Sequence, residues 1–592
     1  MLNTLQSPEK FSPETQRERL EQARAECATK LQSAPDDAQC LALLGLIELQ
    51  LGLPVEAEKT LAQALALRSD DASIHYHHGI ALLMLGKPLE AIRDFRAVIA
   101  LDPHHAEAFY VLGNALRDTG QSAEALQAFR QAIAVNPDHV DTLNNLGNLL
   151  KASGQIKEAI ACFLSALLIR PNDAVLHNNL GSCFVVIGLL NKAEDEFRRA
   201  IDLHPDYPEA LNNLGNVIYM QGNDEDTEAL YRRALALRRD YPEALSNLSN
   251  ALKDKGEMEE AVRLCRQVDA QRNTPEHRHN LALTLLAAGH LPEGFAANES
   301  RWESYQMEGA RRPFSQPLWQ GEADKGKTLL IHAEQGFGDT LQFCRYAPLA
   351  AARGLRVILE VQQPLARLMR SLKGVDMIVT RGDPLPDFDT HCPTLNLPLA
   401  FGTELRDIPA TLPYLAAEKP NIALWRDRLP RTAVSTLRIG LAWEGSPRLH
   451  SFDLAATNRR RSINPELLAP LMNVPNAQFI SLQKNGPPAP QRFGLIDLME
   501  HCNDFADTAA LMMNLDLLIS VDTAPAHLAA ALGKPVWLLN RYDNCWRWLH
   551  NREDTPWYPN MRLFRQPKPG DWGTVVANVK TELEKFSHPT FR

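Results

Sequence analysis

The first half of the chain repeats one pattern of small, apolar and polar positions every 34 residues. A glycine marks each repeat, an alanine follows twelve positions later in nearly every case, and an aromatic side chain stands four positions further on in most repeats. Prolines recur where the second helix of a unit would end, because proline cannot continue a helix. The register is carried by Gly45, Gly79, Gly113, Gly147, Gly181 and Gly215, with Ser249 at the next position.

A period of 34 residues is typical of the tetratricopeptide (TPR) repeat, which is a pair of helices. The small residues allow the two helices of a pair to approach closely. Each pair can bury its apolar face only by stacking on its neighbours. Extended back to Ala23 and forward to a degenerate last unit, the register predicts eight to nine repeats over residues 13–300, which form a superhelix with a concave groove.

Asparagine recurs two residues before the glycine position. Because the period matches the stacking of the repeats, these amides should line up along the first helices. A side-chain amide donates and accepts hydrogen bonds, so such a row could hold the backbone of an extended peptide without reading its sequence. Alternatively, the amides bond between neighbouring repeats and contact no ligand. The row consists of Asn145, Asn179, Asn213, Asn247 and, in the shifted last repeat, Asn280.

The pattern changes after residue 300. Prolines, glycines and tryptophans in residues 301–325 predict a linker, and beyond it short apolar runs alternate with helical patterns. The first of these is a strand, a glycine turn, a helix and a second strand, which is a βαβ unit. Such alternation predicts parallel, doubly wound sheets. A charged, proline-rich interval at 415–436 separates two groups, so we predict two Rossmann-like lobes, 326–425 and 437–585, that face each other across a cleft.

Two segments of the second half resemble a known family. EQGFGDTLQFCRY is similar to the first strand, loop and helix of the ADP-heptose heptosyltransferase-like glycosyltransferases, and SVDTAPAHLAAALGKPVW is similar to their donor-lobe motif. The repeats that read NNLGN resemble those of the O-GlcNAc transferases, in which a row of asparagines holds the acceptor peptide and TPR repeats precede a GT-B enzyme. The resemblance implies a TPR superhelix followed by an α/β GT-B-like domain with two Rossmann-like lobes.

Asp339 follows Gly336 and Gly338 where the first strand meets its helix, the sheet edge at which open α/β folds bind ligands. It matches in position the heptosyltransferase aspartate taken as the catalytic base, which would remove a proton from the acceptor as the anomeric carbon is attacked. A helix N-cap is the alternative role, and the helix dipole would weaken the base. His391, predicted in a loop that could face the acceptor, is the second catalytic candidate.

The predicted donor-binding residues lie near the second lobe's strand ends. The loop between LDLLISV and the next helix offers free backbone N–H groups suited to a nucleotide diphosphate, with Asp522, Thr523 and His527 beside it. Lys484 and Arg461 could neutralise the departing diphosphate. Arginine clusters such as the one that contains Arg461 also form ordinary solvated surface, which is the alternative.

Charge and composition exclude several function classes. A net charge of −10 gives no reason to expect a nucleic acid or an anionic membrane as the main partner. No apolar run is long enough for a membrane helix, and the first thirty residues lack a signal peptide's apolar core, so we expect a cytoplasmic protein without membrane insertion. Nine scattered cysteines favour reduced thiols over disulfides or zinc. Asp387 and Asp389 form a DxD triplet, but the GT-B resemblance implies that no metal is needed.

Together with the residues named above, the resemblance implies an inverting, metal-independent glycosyltransferase. It would move a sugar from a nucleotide-sugar co-substrate, without a further cofactor, to a Ser or Thr hydroxyl of a protein bound in the TPR groove, and the repeats could form a homodimer. One alternative is a TPR adaptor whose GT-B-like module has lost its chemistry. Another is a transferase that acts on a glycan.

Overall fold

The computed structural model describes residues 13–222, 224–303, 311–433, 436–445, 452–484 and 486–587. The chain divides into two compact units. The first comprises Met1–Gln221 with Ala236–Arg238, and the second comprises Gly222–Leu235 with Arg239–Arg592. This division falls within the tract of helix pairs, so the domain limits that were drawn from the sequence stay predictions.

The first unit consists of TPR-like helix pairs, and the second unit begins with further pairs of the same kind. The prediction of TPR helices is therefore confirmed. The helices are α1 (Pro13–Ser33), α2 (Ala38–Gln50), α3 (Pro54–Leu67), α4 (Ala72–Met84), α5 (Pro88–Leu101), α6 (Ala106–Asp118), α7 (Ser122–Val135), α8 (Val140–Ala152), α9 (Ile156–Ile169), α10 (Ala174–Val186), α11 (Leu190–Leu203), α12 (Pro208–Gln221), α13 (Asp224–Leu237), α14 (Pro242–Lys255), α15 (Met258–Arg272), α16 (Pro275–Ala287) and α17 (Leu291–Ala297).

In four of the repeats the glycine, at Gly79, Gly113, Gly147 or Gly181, makes room for a phenylalanine ring, and at Gly45 it makes room for Leu61. A Cβ added at Gly113 would lie 2.5 Å from Cε1 of Phe129, and one added at Gly147 would lie 2.7 Å from Cζ of Phe163. Both rings are fully buried. Where Ser249 replaces the glycine, the residue 16 positions later is the smaller Cys265, whose Sγ lies 2.9 Å from the serine Oγ. The small residue of the first helix and the ring of the second helix are therefore one packing unit.

We expect Gly113→Ala to destabilise the first unit by about 1–3 kcal/mol, because the methyl group overpacks against Phe129. The sign of this change in stability is informative, because replacing glycine by alanine inside a helix ordinarily stabilises a protein by about 1 kcal/mol. All nine tryptophans lie between Trp302 and Trp572 in the second unit, so a transition seen by far-UV circular dichroism but not by tryptophan fluorescence reports the first unit. Arg117→Ala, at an exposed position of α6, should change stability by less than about 0.5 kcal/mol. A stabilised Gly113→Ala protein would contradict the packing account.

The described strands form two parallel sheets. The first has the order β3-β2-β1-β4, and the second has the order β10-β9-β8-β5-β6-β7. The strands are β1 (Thr328–His332), β2 (Arg356–Val361), β3 (Met377–Thr380), β4 (Thr390–Pro393), β5 (Leu437–Ala442), β6 (Ala477–Ser481), β7 (Ile496–Asp497), β8 (Leu517–Val521), β9 (Val536–Asn540) and β10 (Met561–Arg565).

Helices connect these strands. They are α18 (Phe337–Phe343), α19 (Ala347–Ala352), α20 (Ala366–Met369), α21 (Leu397–Ala400), α22 (Lys419–Arg428), α23 (Phe452–Arg461), α24 (Phe505–Met512), α25 (Ala524–Ala531) and α26 (Trp572–Phe586). The interval 415–436 thus contains a helix, α22, and a 3₁₀ helix covers Pro465–Asn473.

The strand order reverses once in each sheet. The chain runs from β1 outward to β3 and then returns to place β4 on the other side of β1, and it does the same around β5, where β8 is the returning strand. Ligands of open α/β sheets bind outside the carboxyl ends of the strands at such a reversal. The two candidate crevices are therefore those between β1 and β4 and between β5 and β8.

Candidate functional site

The starts of two helices that follow strands of different sheets meet in the second unit. The first turn of α18, after β1, carries Gly338 and Asp339. Helix α25, after β8, carries His527, and Asp522 lies in the short loop just before this helix. A Cβ added at Gly338 would lie 3.0 Å from Cδ2 of His527, so glycine permits this approach. Each helix follows the carboxyl end of a parallel strand. We call this contact between the starts of α18 and α25, just past the two strand-to-helix loops, the loop junction.

Asp339 is held on both of its carboxylate oxygens. Oδ2 accepts the backbone N–H of Gly336 at 3.0 Å at the start of α18, and Oδ1 forms an ion pair with Arg547. The guanidinium of Arg547 also donates to Oε1 of Gln342 at 2.6 Å and lies 4.5 Å from the ring centre of Trp546. Asp339 is thus not the N-cap of α18, as the alternative from the sequence had it; the N-cap is Gly336, and Asp339 is the third helical residue, whose carboxylate accepts the N–H of that cap. Arg547, absent from the predicted site residues, is the partner of Asp339.

His527 is buried at the loop junction, with 5% of its surface exposed. Its Nδ1 lies 2.9 Å from the hydroxyl of Tyr558, and its Nε2 lies 4.0 Å from Oδ1 of Asp522. Burial lowers the pKa of His527 to about 4, although the charge of Asp522 acts in the opposite direction. The imidazole is therefore neutral at pH 7 and offers one donor and one acceptor nitrogen.

Because the pKa of His527 is lower in the folded chain than its ordinary value of about 6.5, the unfolded state takes up a proton first as pH falls. The stability that this group contributes is complete above pH 6.5 and is lost between about pH 6.5 and 4. We expect His527→Gln to reduce the slope of unfolding free energy against pH in this window by about 1.4 kcal/mol per pH unit. Urea titrations followed by tryptophan fluorescence at pH 7.5, 6 and 5 measure this slope.

His290→Gln, at an exposed position of the second unit, is the matched control and should leave the slope unchanged. An unchanged slope in His527→Gln would show that His527 does not titrate differently in the folded and unfolded chain.

Arg461 lies at the crevice between β5 and β8. Its Nη1 donates to the backbone oxygen of Asp522 at 3.3 Å, and its Nε donates to Oδ1 of Asn458 at 3.0 Å. A Cβ at Gly445, just beyond β5, would overlap the guanidinium of Arg461, so glycine allows the arginine to reach the strand ends. A cation and the start of α25 thus share one sheet edge, as an anion site requires.

Other predicted donor-binding residues have internal partners. Lys484 donates from Nζ to the backbone oxygen of Met499 at 3.2 Å and to that of Cys502. Thr523 donates from Oγ1 to the backbone oxygen of Val521 at 3.2 Å. Gly336 is the N-cap of α18.

His391 does not lie in a loop, as the sequence predicted, but in strand β4. Backbone pairing explains the difference, because the short sequence THCP runs alongside β1 and Leu330 is the partner of His391. Its ring contacts Phe314 at 4.9 Å between ring centres, and its Nδ1 lies 3.3 Å from Nε2 of His332. His391 and Asp339 are not brought together, and the catalytic role of His391 stays a prediction.

The asparagine row forms hydrogen bonds between repeats in the first unit. Each amide nitrogen donates to an asparagine of the preceding repeat, and the side chains remain partly exposed. The pairs are Asn145 with Asn114 (2.9 Å), Asn179 with Asn144 (2.8 Å) and Asn213 with Asn178 (2.9 Å). Asn247 and Asn280 belong to the second unit, where Asn280 is exposed. The bonds between repeats considered from the sequence are thus present.

Asp389 of the DxD triplet accepts the backbone N–H of Thr328 at 2.7 Å. Across the residues that the structure describes, no group of three or more His, Cys, Asp and Glu side chains is arranged to hold a metal ion. None of the described helices is both long and apolar enough to cross a membrane.

Family models match both parts of the chain. The model for the cilia and flagella-associated protein 70 C-terminal domain matches residues 55–312, and the model for glycosyltransferase family 9 (heptosyltransferase) matches residues 503–564. The second match includes Asp522, His527 and Arg547. The chain therefore contains TPR-like repeats and a heptosyltransferase-like segment. The resemblance to O-GlcNAc transferases stays a prediction.

A curated relative is similar over part of its length. Protein FlbA of Caulobacter vibrioides is 27% identical over 336 residues, which cover 52% of this chain and 54% of the relative. The chain thus spans about half the length of the curated relative that it matches.

Solved structures of repeat proteins are also similar. MamA is 23% identical with a TM-score of 0.27 and covers 27% of this chain and 95% of its own. YrrB, described as a TPR protein with an unusual peptide-binding site, is 22% identical with a TM-score of 0.29, and the match covers 32% of this chain and 97% of YrrB. PilW, a type IV pilus biogenesis factor, is 21% identical with a TM-score of 0.31, and the match covers 34% of this chain and 92% of PilW.

Proposed function

We propose that the chain is a cytoplasmic, inverting glycosyltransferase of the GT-B type that moves a sugar from a nucleotide sugar to a Ser or Thr hydroxyl of a protein, without a metal. The loop junction is the observation that carries the proposal. It brings together the starts of two helices that each follow the carboxyl end of a parallel strand, with a carboxylate at the start of α18 and a buried imidazole near the start of α25. A donor and an acceptor that react with each other have to meet at such a place.

The donor diphosphate would bind in the crevice between β5 and β8. The backbone N–H groups at the start of α25 and the positive end of its dipole favour a phosphate group there. The guanidinium of Arg461, at the same edge, presents a planar fork of donors that matches phosphate oxygens. As the bond from the anomeric carbon to the diphosphate oxygen breaks, the leaving group gains negative charge, which these groups stabilise.

Asp339 would act on the acceptor. Its carboxylate would accept the proton of the hydroxyl while the hydroxyl oxygen forms the new bond to the anomeric carbon, opposite the departing diphosphate. The ion pair with Arg547 fixes the side chain at the loop junction. Because each carboxylate oxygen carries two lone pairs, the hydrogen bond to Gly336 and the ion pair still leave acceptor capacity.

The TPR repeats would bind the protein acceptor. In the first unit, the row of Asn145, Asn179 and Asn213 keeps partly exposed amides on successive repeats. Asn179 and Asn213 each use one N–H in the bond to the preceding repeat, so the second N–H can face a peptide backbone, whereas Asn145 also donates to the hydroxyl of Tyr110 at 3.5 Å.

Calorimetry of the purified chain with a panel of nucleotide sugars and nucleoside diphosphates tests the donor site. We expect micromolar to millimolar binding of at least one donor and a loss of about tenfold or more in Arg461→Gln. Arg459→Gln, an exposed neighbour on the same helix, is the matched control and should bind normally. The proposal fails if no compound of a broad panel binds or if both variants bind as the unmodified chain does.

A TPR adaptor without catalytic activity is the second candidate. It is favoured by the two contacts of Asp339, since a carboxylate that holds the N–H of a helix N-cap and an arginine has a structural role without any chemistry. The distinguishing result is a chain that binds a protein partner through its repeats and neither hydrolyses nor transfers any sugar.

A further inference from the structure

A cavity of about 450 Å³ lies at the crevice between β1 and β4, on the side of the sheet that Phe314 covers. It is lined by His332, the last residue of β1, and by His391 and Pro393 of β4. Trp302 and Phe314 add aromatic walls. A strand reversal in a parallel sheet is where small ligands bind, and the volume is in the usual range of about 300–1,000 Å³ for small-molecule pockets. The cavity thus meets two independent criteria for a binding site.

Positive charge exceeds negative charge at this cavity. Arg311 and Arg312 line it, while Glu299 is the carboxylate among the lining residues that the structure describes. Glu299 is already paired with the buried Arg301 at 2.7 Å, and Arg312 is paired with the buried Glu360. Arg311 is exposed and has no ion-pair partner among the described side chains. The cavity therefore offers a cation whose charge is not balanced.

The two histidines contribute neutral rings. Burial, together with the charges of His391, Arg312, Arg381 and Arg301, lowers the pKa of His332 to about 3, and burial followed by Arg311 and Arg312 lowers the pKa of His391. Neutral imidazoles can donate a hydrogen bond without adding charge. Phe314 lies against both rings, at 5.5 Å from His332 and 4.9 Å from His391.

We propose that this cavity binds a small anion, a phosphate ester or a carboxylate that is carried on a ring. Arg311 pairs with the anionic group, an imidazole N–H donates to it, and Trp302 and Phe314 cover the ring. This site is separate from the donor crevice between β5 and β8. The proposal of an anion site therefore does not depend on whether the chain transfers a sugar.

Calorimetry with the full chain at pH 7.5 tests the site with four probes. Ribose 5-phosphate and benzoate carry the two anionic groups, and ribose and benzyl alcohol are their neutral counterparts. We expect one anionic probe to bind with 1:1 stoichiometry and its affinity to fall at least tenfold in Arg311→Gln. Arg311→Lys, which keeps the charge, should retain most of the affinity. Which anionic probe binds decides between the phosphate ester and the carboxylate.

Two arginine variants are the matched controls. Arg356→Gln removes an exposed arginine from the opposite edge of the same sheet, at the first residue of β2, and Arg461→Gln disables the donor crevice. Both should bind the anionic probe within twofold of the unmodified chain. The proposal is overturned if neither anion binds at 10 mM, if the neutral probes bind equally well, or if Arg461→Gln loses binding while Arg311→Gln keeps it. Circular dichroism of each variant confirms that it is folded.

Discussion

Replacement of Asp339 by asparagine lowers the rate of sugar transfer by about 10²- to 10⁴-fold, the usual contribution of a general base. Asparagine keeps the size of the side chain, and its one oxygen can still accept from Gly336 or from Arg547, but it cannot take a proton from the acceptor. The loss should appear in kcat, with the KM of the donor little changed, because the donor crevice lies on the other sheet. Initial rates with the donor identified by calorimetry measure both constants.

Asp389→Asn is the matched control for this variant. Asp389 also accepts a backbone N–H, that of Thr328 at 2.7 Å, but at the opposite edge of the first sheet. The Asp389→Asn protein should transfer sugar at the normal rate. If Asp339→Asn keeps full activity while it remains folded, Asp339 is a structural cap and the assignment of the base is wrong.

Arg301→Met should destabilise the second unit by about 3–5 kcal/mol, the effect of leaving a buried charge without its partner. Arg301 and Glu334 each expose 2% of their side chain, and the guanidinium reaches both carboxylate oxygens at 3.1 and 2.9 Å. Burial already raises the pKa of Glu334 even with the arginine present. Urea unfolding followed by tryptophan fluorescence measures the loss.

Arg266→Met provides the comparison within the same unit. Arg266 pairs with Glu293 at 2.7 Å, but both side chains are about half exposed, so its loss should change stability by less than about 1 kcal/mol. In the double variant Arg301→Met with Glu334→Leu, much of the lost stability should return, since no unpaired charge is left inside. Equal losses of stability in Arg301→Met and Arg266→Met would show that the buried ion pair contributes no more to stability than the exposed pair.

The helix pairs could be predicted because the residues that define each pair lie close together in the sequence and recur with a fixed period. Glycine, alanine and aromatic positions recur every 34 residues, and the structure assigns the glycine and the ring to one contact, as at Gly113 and Phe129. A second series with the same period, the turn glycines such as Gly120 and Gly154 with φ of 79° and 77°, was present in the sequence and was not used. Left-handed glycines of this kind end the first helix of a pair.

Strands were predicted where they are buried on both faces and therefore continuously apolar, as in β8 and β9. Strand β4 was missed because THCP is short and contains a histidine and a proline. Strand β10 carries arginines at both Arg562 and Arg565, and β7 has only two residues, so neither shows a continuous apolar run in the sequence. In each case pairing with a neighbouring strand, and not the local composition, decides the structure.

Only part of the candidate site could be predicted, because some of its contacts join residues that are far apart in the sequence. Motif residues next to strand ends, such as Asp339 and Asp522, were identified because loops at that edge carry function in parallel sheets. Arg547 was missed because its partner Asp339 is 208 residues away, and no sequence pattern links the two. Lys484 was predicted as a phosphate ligand because it follows β6. Its position in the sequence could not show that its ammonium group donates hydrogen bonds to two backbone carbonyls.

A crystal structure of the chain with a nucleoside diphosphate tests the proposed transferase most directly. We predict that the diphosphate lies in the crevice between β5 and β8, with its oxygens within hydrogen-bond distance of the guanidinium of Arg461 and of the backbone N–H groups that begin α25. A nucleotide bound at another place, or none at a saturating concentration, would contradict the account.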